Sequence, residues 1–512
     1  MRIDKLSIDK FKNLQNFSID IDETQNISVL IGQNGSGKSN LIEVLCIIFR
    51  DLDLEDTTAE FSYTIEFQCG GKKIKIVCDK EKKKFFVDDE EVTKTAFYRG
   101  RSVHLPRNVF AYYSGTSRRL ESHFDKHEEI FYRRLLDDDD RALRRMFYAR
   151  LIHSQFVLLA FFSLIDEFSE ETKDDGLLKK YLDVAGLESV LFVLKEPEWK
   201  KGKGHPKSEF WGARGVVRSF LDMLYPFALA PLKETVTVKQ GRSSGKKEFA
   251  YLFLKDQEQL LAFAKNFSGN TEFFKHLESM YLSDLIEDIH IKIKKSDGTV
   301  ITFNELSEGE KQLLTVIGLI KFTKEQDTLF LLDEPDTHLN PAWKFDYLDL
   351  IEKYCGKTDN SQFIISTHDP IVISGLTKES VLIFERNETG THVKNPEIDP
   401  RGLGIAGVLT SEIFGQMTAL DHKTQNDLDR KRQLQYKQDR TPEEEKLYLE
   451  LEEKLAKLGF ARTTQDPLYD KFIERLYLRP EYQTKPLTES DRDELMKITD
   501  EILSELLKEE QV

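Results

Sequence analysis

One short glycine-rich segment constrains the fold of this chain more than any other part of its sequence. Residues 32–39, Gly-Gln-Asn-Gly-Ser-Gly-Lys-Ser, fit the pattern G-x-x-x-x-G-K-[ST]. An apolar, β-prone run, Val29–Ile31, precedes this segment, and a helix-compatible run, Leu41–Phe49, follows it. The glycines let backbone N–H groups turn inward, and a helix N-terminus favours an anion. The order strand, loop, helix therefore predicts a phosphate-binding loop.

The side chains of this loop have the chemistry that a nucleoside triphosphate needs. We expect Lys38 to reach the β- and γ-phosphates and Ser39 to ligate Mg²⁺. The sequence thus predicts ATP and Mg²⁺ as cofactors, bound where the first helix begins. The residues expected to contact the nucleotide here are Gly32, Asn34, Gly35, Ser36, Gly37, Lys38, Ser39 and Asn40.

Two carboxylates stand far along the chain, at the end of another apolar run. Thr328–Leu332 predicts a buried strand, and Asp333 and Glu334 follow it directly. At the C-terminal end of a strand beside the phosphate loop, Asp333 would serve Mg²⁺ and Glu334 would polarise the attacking water. The next apolar run, Phe363–Thr367, is followed by His368, for which we favour a catalytic role over a structural one.

Together these segments resemble the ABC-type ATPases, most closely their SMC, RecF and OLD-related branch. The resemblance covers residues 1–50 and 287–386 and includes a signature segment, Leu306–Gln312. It implies that Ser307 and Gly309 touch the γ-phosphate of an ATP bound to a second copy, so that ATP would hold a homodimer or higher homo-oligomer together. The resemblance also assigns Lys38 and Ser39 to Walker A, Asp333 and Glu334 to Walker B, Glu308 and Glu310 to the signature loop, Asp336 to the D-loop, and His368 to the switch position.

The chain departs from this family's pattern at one place. The family's Q-loop glutamine should follow a strand of the first lobe, and the best candidate strand, Val109–Gly115, contains no glutamine. The sequence leaves open whether Ser114, Arg118 or Arg119 takes its place, or whether water completes the Mg²⁺ shell. This departure argues against the interpretation of the chain as the ATP-binding subunit of a membrane transporter.

The expected fold is α/β, a P-loop ABC-type ATPase head in which a mixed sheet is flanked by helices. In SMC-like proteins the segment between Walker A and the signature holds a long coiled coil, but no heptad run of that kind occurs here. We expect instead a globular, mostly helical insertion with a β-hairpin. The predicted domains are the first ATPase lobe at 1–115, the insertion at 116–286, the second lobe at 287–398, and a charged helical C-terminal region at 399–512.

Composition narrows the class of protein further. The net charge of −16 implies no general attraction to nucleic acid. The four cysteines lack C-x-x-C spacing, which predicts a reduced, cytoplasmic protein without a zinc site. No apolar run is long enough to cross a bilayer, and the N-terminus lacks the pattern of a signal peptide, so we expect no membrane association.

Two basic segments in the insertion are candidates for contact with nucleic acid. One lies at 199–207, and the other, at 239–247, is predicted to form the tip of a hairpin. Each could contact phosphates or be a solvated loop, and Trp199, Phe210 and Trp211 could add base stacking. The cationic residues concerned are Lys200, Lys201, Lys203, Arg242, Lys246 and Lys247.

The C-terminal region predicts a helical hairpin formed by Asn426–Lys437 and Pro442–Leu458. It shows no apolar strands of the kind that a Toprim nuclease domain would need. On the second helix, four leucines are expected to share one face that packs on the head or on another copy: Leu447, Leu451, Leu455 and Leu458.

The head-only plan, the globular insertion and the helical tail resemble PtuA of the Septu antiphage system and AriA of the PARIS system. That resemblance implies a homo-oligomeric ATPase that controls a separate effector, a nuclease or a toxin. The alternative is a RecF/SMC-like ATPase that clamps DNA directly in repair or maintenance, which would need the basic segments on one face of the dimer.

Overall fold

The structure, a computed structural model, describes the chain except for residues 23, 137–144, 164–176, 198–208, 241–242, 324–325, 356–359, 388–389, 436, 438, 459, 461–496 and 503–512. The described strands are β1 (Arg2–Phe11), β2 (Leu14–Asp20), β3 (Ile27–Gly32), β4 (Tyr63–Cys69), β5 (Lys72–Cys78), β6 (Lys83–Val87), β7 (Glu90–Val92), β8 (Val109–Tyr113), β9 (Met146–Tyr148), β10 (Val184–Lys195), β11 (Leu232–Gln240), β12 (Ser243–Leu254), β13 (Ile286–Lys295), β14 (Val300–Thr302), β15 (Leu329–Asp333), β16 (Gln362–Ser366), β17 (Val381–Asn387) and β18 (Gly390–Lys394).

The described helices are α1 (Lys38–Asp53), α2 (Lys94–Arg99), α3 (Arg101–His104), α4 (Asp125–Leu136), α5 (Ile152–Phe162), α6 (Leu177–Leu182), α7 (Gly215–Leu224), α8 (Gln257–Ala264), α9 (Asn270–Leu282), α10 (Glu308–Leu313), α11 (Leu319–Thr323), α12 (Pro341–Cys355), α13 (Pro370–Ile373), α14 (Gly404–Thr410), α15 (His422–Gln435) and α16 (Pro442–Lys457). A π-helical turn, Leu314–Gly318, joins α10 to α11.

The chain divides into two compact units. The first contains residues 1–372 and 384–393, and the second contains residues 373–383 and 394–512. Every residue that the sequence assigns to the ATP site lies in the first unit.

A seven-stranded sheet with the order β18-β17-β3-β16-β15-β8-β9 carries the two Walker segments. Strands β3, β16, β15, β8 and β9 pair in parallel, and the side chains of β15 and β16 are buried throughout. Such continuous apolar strands are typical of parallel sheets that are covered on both faces. Helix α1 packs beside β3, β8, β15 and β16. The predicted α/β class with helices flanking the sheet is confirmed, as are these strands and helix α1.

A six-stranded antiparallel sheet, β2-β1-β4-β5-β6-β7, precedes and follows the phosphate loop in sequence. Its strands alternate buried and exposed side chains, as expected for a sheet with one face in the core. Gly70 and Gly71 both have positive φ, +54° and +72°, which suits a two-residue hairpin turn between β4 and β5. The predicted strands of this region are confirmed.

A five-stranded sheet, β11-β12-β10-β13-β14, contains the predicted hairpin and corrects its geometry. The predicted loop at 239–247 is wrong in part, because Lys246 pairs with Thr237 and Lys247 with Val236 within the strands. A ribbon that faces solvent needs no apolar alternation, so charged residues can continue its ladder. Lys246 is exposed and Lys247 half-buried. Lys200, Lys201, Lys203 and Arg242 lie outside the described residues.

Two aromatic residues proposed for base stacking belong to the core instead. Phe210 is 4% and Trp211 3% exposed, and the Trp211 indole N–H donates to Glu248 at 3.3 Å. A buried ring cannot stack on a base without displacing its neighbours, so this part of the sequence-based expectation is wrong. Trp199 lies outside the described residues.

In the second unit, α15 and α16 pack together and confirm the predicted helical hairpin. Thr441 and Glu444 form a reciprocal capping box at the start of α16. Leu451 and Leu455 are buried, as expected, but Leu458 is 55% exposed. The helix ends at Lys457, which takes Leu458 off the apolar face. In the part of the chain that the structure describes, no helix combines the length and apolar character needed to cross a bilayer.

Candidate active site

The phosphate loop connects β3 to α1 through glycines whose backbone conformations would be strained in other residues. Gly32, Gly35 and Gly37 have φ of +145°, +79° and +117°. A Cβ on Gly32 would stand 2.3 Å from the carbonyl oxygen of Phe384, and one on Gly37 would stand 2.6 Å from Leu14 Cδ2. Gly37 is the N-cap of α1 and supplies no side-chain cap. The first N–H groups of α1 are therefore not capped by a side chain, which suits an anion.

Lys38 is buried at the start of α1 and folds back over the loop. Its Nζ donates to the carbonyl oxygens of Gly32 at 2.7 Å and Gln33 at 3.3 Å. Burial lowers the pKa of the Lys38 ammonium to about 8, although Glu334 and Asp333 act in the opposite direction. Two carbonyl oxygens are weaker partners for an ammonium than phosphate oxygens, so the side chain is placed to exchange them.

Asp333 ends β15 with its carboxylate facing the phosphate loop. Its Oδ1 accepts hydrogen bonds from Ser39 Oγ at 2.9 Å and from the Ser366 hydroxyl. Its Oδ2 is buried and has no hydrogen-bond partner among the described residues. Burial raises the pKa of the Asp333 carboxyl, and the bonds from Ser366 and Ser39 oppose that rise.

This pair of oxygen donors fits a magnesium ion. A buried carboxylate oxygen without a partner is costly, and a hard cation next to Ser39 Oγ would satisfy it. Within the described residues, no group of three or more His, Cys, Asp or Glu side chains could hold a metal. One carboxylate and one hydroxyl match Mg²⁺, which keeps several waters and binds substrate phosphates rather than a closed protein cage.

Glu334 and His368 meet where β15 and β16 end. Glu334 Oε1 lies 2.8 Å from His368 Nε2, and both side chains are partly exposed, at 33% and 41%. Glu334 has φ of +54°, a conformation that a residue with a Cβ rarely adopts. Its N–H donates to the carbonyl oxygen of Ser366 at 3.0 Å. The structure thus brings together the acid and the histidine that the sequence placed in one site.

The signature residues make their contacts on a different helix. Ser307 caps α10: Glu310 N–H donates to Ser307 Oγ at 3.2 Å, and Ser307 N–H donates to Glu310 Oε2 at 2.7 Å. Lys295 Nζ lies 3.3 Å from the other Glu310 oxygen. Gly309 packs so closely that a Cβ there would stand 2.5 Å from the carbonyl oxygen of His338. Ser307 itself is exposed.

Asp336 lies buried in the turn that follows Walker B. Its Oδ2 accepts from Thr367 Oγ1 at 2.8 Å. Burial raises the pKa of its carboxyl to about 6, while the Thr367 hydrogen bond and Lys344 oppose the rise. This carboxylate therefore fastens the turn to the end of β16.

The three candidates for the missing Q-loop residue lie in different surroundings. Arg119 Nη2 donates to Asn40 Oδ1 at 3.0 Å and to Glu43 Oε2 at 2.9 Å, which ties it to the first turns of α1. Ser114 Oγ lies 3.2 Å from Thr337 Oγ1, beside Walker B. Arg118 is exposed and pairs with Glu121 and Asp125. The structure thus brings Arg119 and Ser114, but not Arg118, to the site.

Several side chains at the site were missed by the sequence analysis. Asn13 Nδ2 donates to the Gly35 carbonyl oxygen at 2.6 Å, and Asn13 Oδ1 accepts from Asn40 at 2.5 Å. Gln312 reaches the turn after Walker B from α10. Ser36 is buried in the loop, whereas Asn34 is exposed. The Phe-Lys-Asn-Leu segment at 11–14 was the available signal for Asn13, but Gln312 had none beyond its place in the signature segment.

Comparison with known proteins gives one family and several relatives. The RecF/RecN/SMC N terminal domain family matches residues 2–391. The Retron Vc95 probable ATPase of Vibrio cholerae serotype O1 biovar El Tor is 22% identical over 451 residues, covering 80% of this chain and 78% of that protein. Septu protein PtuA of Bacillus mycoides (strain KBAB4) is 24% identical over 156 residues, covering 28% of this chain and 21% of that protein. Among solved structures, the SMC head domain from Thermotoga maritima matches at a TM-score of 0.32 and 14% identity, over 78% of this chain and 100% of that one.

Proposed function

The chain belongs to the RecF/RecN/SMC N terminal domain family, and from that premise we propose that it binds ATP with Mg²⁺ and hydrolyses it to ADP and phosphate. One observation carries this proposal. Lys38 at the start of α1, the unpartnered Oδ2 of Asp333, and the Glu334–His368 pair at 2.8 Å converge at the ends of neighbouring parallel strands. In open α/β sheets that edge is where ligands bind.

Each residue of the proposed site has a role that its surroundings support. The loop N–H groups and Lys38 bind the phosphates, and Ser39 and Asp333 hold Mg²⁺. When bound, the ion neutralises charge on the phosphate oxygens. Glu334 orients the attacking water and accepts its proton, and His368, hydrogen-bonded to Glu334, orients that carboxylate.

We also propose that two copies close on ATP, with the signature residues of one copy facing the nucleotide of the other. The support is the position of Ser307, which is exposed at the start of α10. Its side-chain hydroxyl accepts from Glu310 of the same segment rather than from the phosphate loop. Ser307, Gly309, Glu310 and Asp336 are accordingly proposed as nucleotide-binding residues that act in the dimer.

The biological task that we propose is control of a separate effector, a nuclease or a toxin, in antiphage defence. Similarity to a protein named as a retron ATPase extends over 80% of this chain, and a shorter similarity links it to a Septu protein. The second candidate is an ATPase that clamps DNA directly. It is favoured by the exposed Lys246 on the solvent-facing ribbon β11–β12.

The test uses Glu334→Gln, which should bind ATP but hydrolyse it about 100-fold more slowly than the wild type, because a general base of this kind contributes at least that much. Tagged Glu334→Gln protein is recovered from its host with ATP and Mg²⁺, its mass is measured, and co-purifying molecules are identified. A dimer with a stoichiometric nuclease or toxin supports the full proposal.

Other outcomes of the same experiment separate the candidates. Co-purification of nucleic acid without a protein partner would favour the DNA clamp. Charge reversal of Lys246 and Lys247 should then abolish the binding of nucleic acid. Lys38→Ala protein is the matched control, since it should bind no ATP and should be purified without a dimer. Wild-type turnover in Glu334→Gln would show that another residue activates the water.

A further inference from the structure

The turn that begins at the Walker B residue Glu334, residues 334–339, is held on two sides. On the β16 side, Glu334 N–H donates to Ser366 and Asp336 accepts from Thr367. On the α10 side, the turn is hydrogen-bonded by Gln312, whose side chain is buried with 2% exposure. The turn thus lies between the strand that leads to His368 and the helix that carries the signature.

Gln312 contacts this turn with both ends of its amide. Its Oε1 accepts from the N–H of His338 at 2.9 Å, and its Nε2 lies 3.5 Å from the carbonyl oxygen of Glu334. The side chain of Tyr112, on strand β8 next to Walker B, lies close to Gln312, and the amide opposes the rise in pKa that burial causes in the Tyr112 hydroxyl. These contacts join α10 to the backbone of Glu334, the proposed general base.

The packing around Gln312 leaves little room for α10 to move independently. The Gly309 backbone lies against His338, with no space for a Cβ. Glu334 has φ of +54°, which persists only where several contacts fix the backbone. Gln312 is one of those contacts, so a shift of α10 should alter the direction of the Glu334 side chain.

We propose that Gln312 is a positioning residue that couples α10 to Glu334 within one chain. This inference rests on the proposed function, because it assumes that Glu334 activates the water and that Ser307 meets a second copy's ATP. Ser307 caps the helix that carries Gln312. Engagement of Ser307 by the other copy is therefore transmitted to the engaged copy's own Glu334, and links hydrolysis at one site to closure at both.

The test compares Gln312→Leu and Gln312→Glu in the full chain. Gln312→Leu should lower kcat by about tenfold or more and leave the KM and the affinity for ATP within about twofold, because the lost contacts act on the general base Glu334 and not on the bound nucleotide. Gln312→Glu keeps an acceptor for the His338 N–H and should retain part of the turnover. The concentration at which ATP drives dimer formation should stay the same in both variants.

A matched control separates positioning from a general loss of stability. Gln155 is another buried amide, on α5, and Gln155→Leu should keep the wild-type kcat. If Gln312→Leu does not fold, Tyr112→Phe removes the hydroxyl that lies close to the Gln312 amide, leaves the amide in place, and should lower kcat about threefold. Wild-type kcat in Gln312→Leu, or in Tyr112→Phe where that variant replaces it, would overturn the inference. Absence of ATP turnover in the wild type would instead overturn the proposed function.

Discussion

Helices α1 and α10 both begin at segments that the proposed function assigns to phosphate, but their first turns are capped differently. At α1, the N-cap is Gly37 and no side chain caps the helix. At α10, Ser307 and Glu310 satisfy each other's backbone N–H groups in a capping box. The first helix therefore offers unused donors to an anion, whereas a phosphate at the second must compete with donors and acceptors of its own chain.

The charges around the two helix starts differ in the same sense. The first turn of α1 contains Lys38 and no acidic residue, while that of α10 contains Glu308 and Glu310. Acidic residues stabilise a helix start but repel a phosphate. We expect ATP to bind one copy at α1 first, and α10 of the second copy to engage only afterwards, when the loop has fixed the nucleotide.

Removal of the Lys38 charge should have the largest effect, because it takes from the start of α1 the cation that distinguishes it from the start of α10. Lys38→Ala should weaken ATP binding by about 100-fold or more, since a charged hydrogen bond to phosphate is lost together with its ion pairing. Titration with a fluorescent ATP analogue measures the effect. Lys5→Ala, which alters an exposed lysine of β1, is the control and should bind normally. Normal affinity in Lys38→Ala would refute the Walker A assignment.

Blocking the second helix start should affect turnover but not binding. Ser307→Arg places a long cation where a second copy would approach, so we expect kcat to fall by about tenfold or more with the ATP affinity of the single chain unchanged. Ser296→Arg, in an exposed turn of the same unit, is the matched control. Unchanged turnover in Ser307→Arg would mean that α10 takes no part in the reaction.

Titration of Lys38 gives a milder test of the first helix start. Its pKa of about 8 in the free protein lies below that of an exposed lysine, so the ammonium loses its proton above pH 8. ATP binding requires the charged form, and the affinity should therefore fall by up to about tenfold per pH unit between pH 8 and 10. Lys38→Arg stays charged over this range, so its residual affinity should not change. A wild-type affinity that is constant to pH 10 would contradict the assignment.

The sequence predicted the strand ends of the site better than the connections between them. The glycines of the phosphate loop and the Asp333–Glu334 pair are local patterns, and each predicts one kind of structure: a strand–loop–helix turn and a strand that ends in carboxylates. The structure places both at one edge of the same sheet. Gln312 and its partner His338 lie 26 positions apart, and only tertiary packing reveals their contact. The choice between Arg118 and Arg119 likewise depends on which way two adjacent side chains point.

Long-range pairing explains the other gap between sequence and structure. Strands β10 and β13 pair across about 100 residues, as Val190 with Ile291 shows. No local turn signal marks such a pair, so the sequence predicted only the hairpin of the five-stranded sheet. Lys246 and Lys247 were assigned to a loop for a similar reason: glycine and serine near them suggest a turn, and backbone pairing continues through them.

The smallest predicted effect concerns Asp336, in the turn between the two helix starts. Its pKa of about 6 exceeds the ordinary value of 3.8. Between these two pH values the folded protein keeps a proton on Asp336 that the unfolded chain releases. Stability from this group is complete below pH 4 and is lost as the pH rises through 6. Asp336→Asn keeps an acceptor for Thr367 and should be more stable than the wild type at pH 7.5, by up to about 3 kcal/mol.

Thermal melting of the two proteins at pH 4 and pH 7.5 measures this difference. We expect Asp336→Asn to melt a few degrees higher at pH 7.5 and close to the wild type at pH 4, whereas Asp20→Asn, at an exposed carboxylate, should show neither effect. A variant that is less stable at pH 7.5 would mean that Lys344 compensates the buried charge. A stabilised variant with slower ATP turnover would instead show that the Asp336 carboxylate serves the reaction at a cost in stability. This carboxylate lies in the turn that follows Walker B and contacts the signature helix α10.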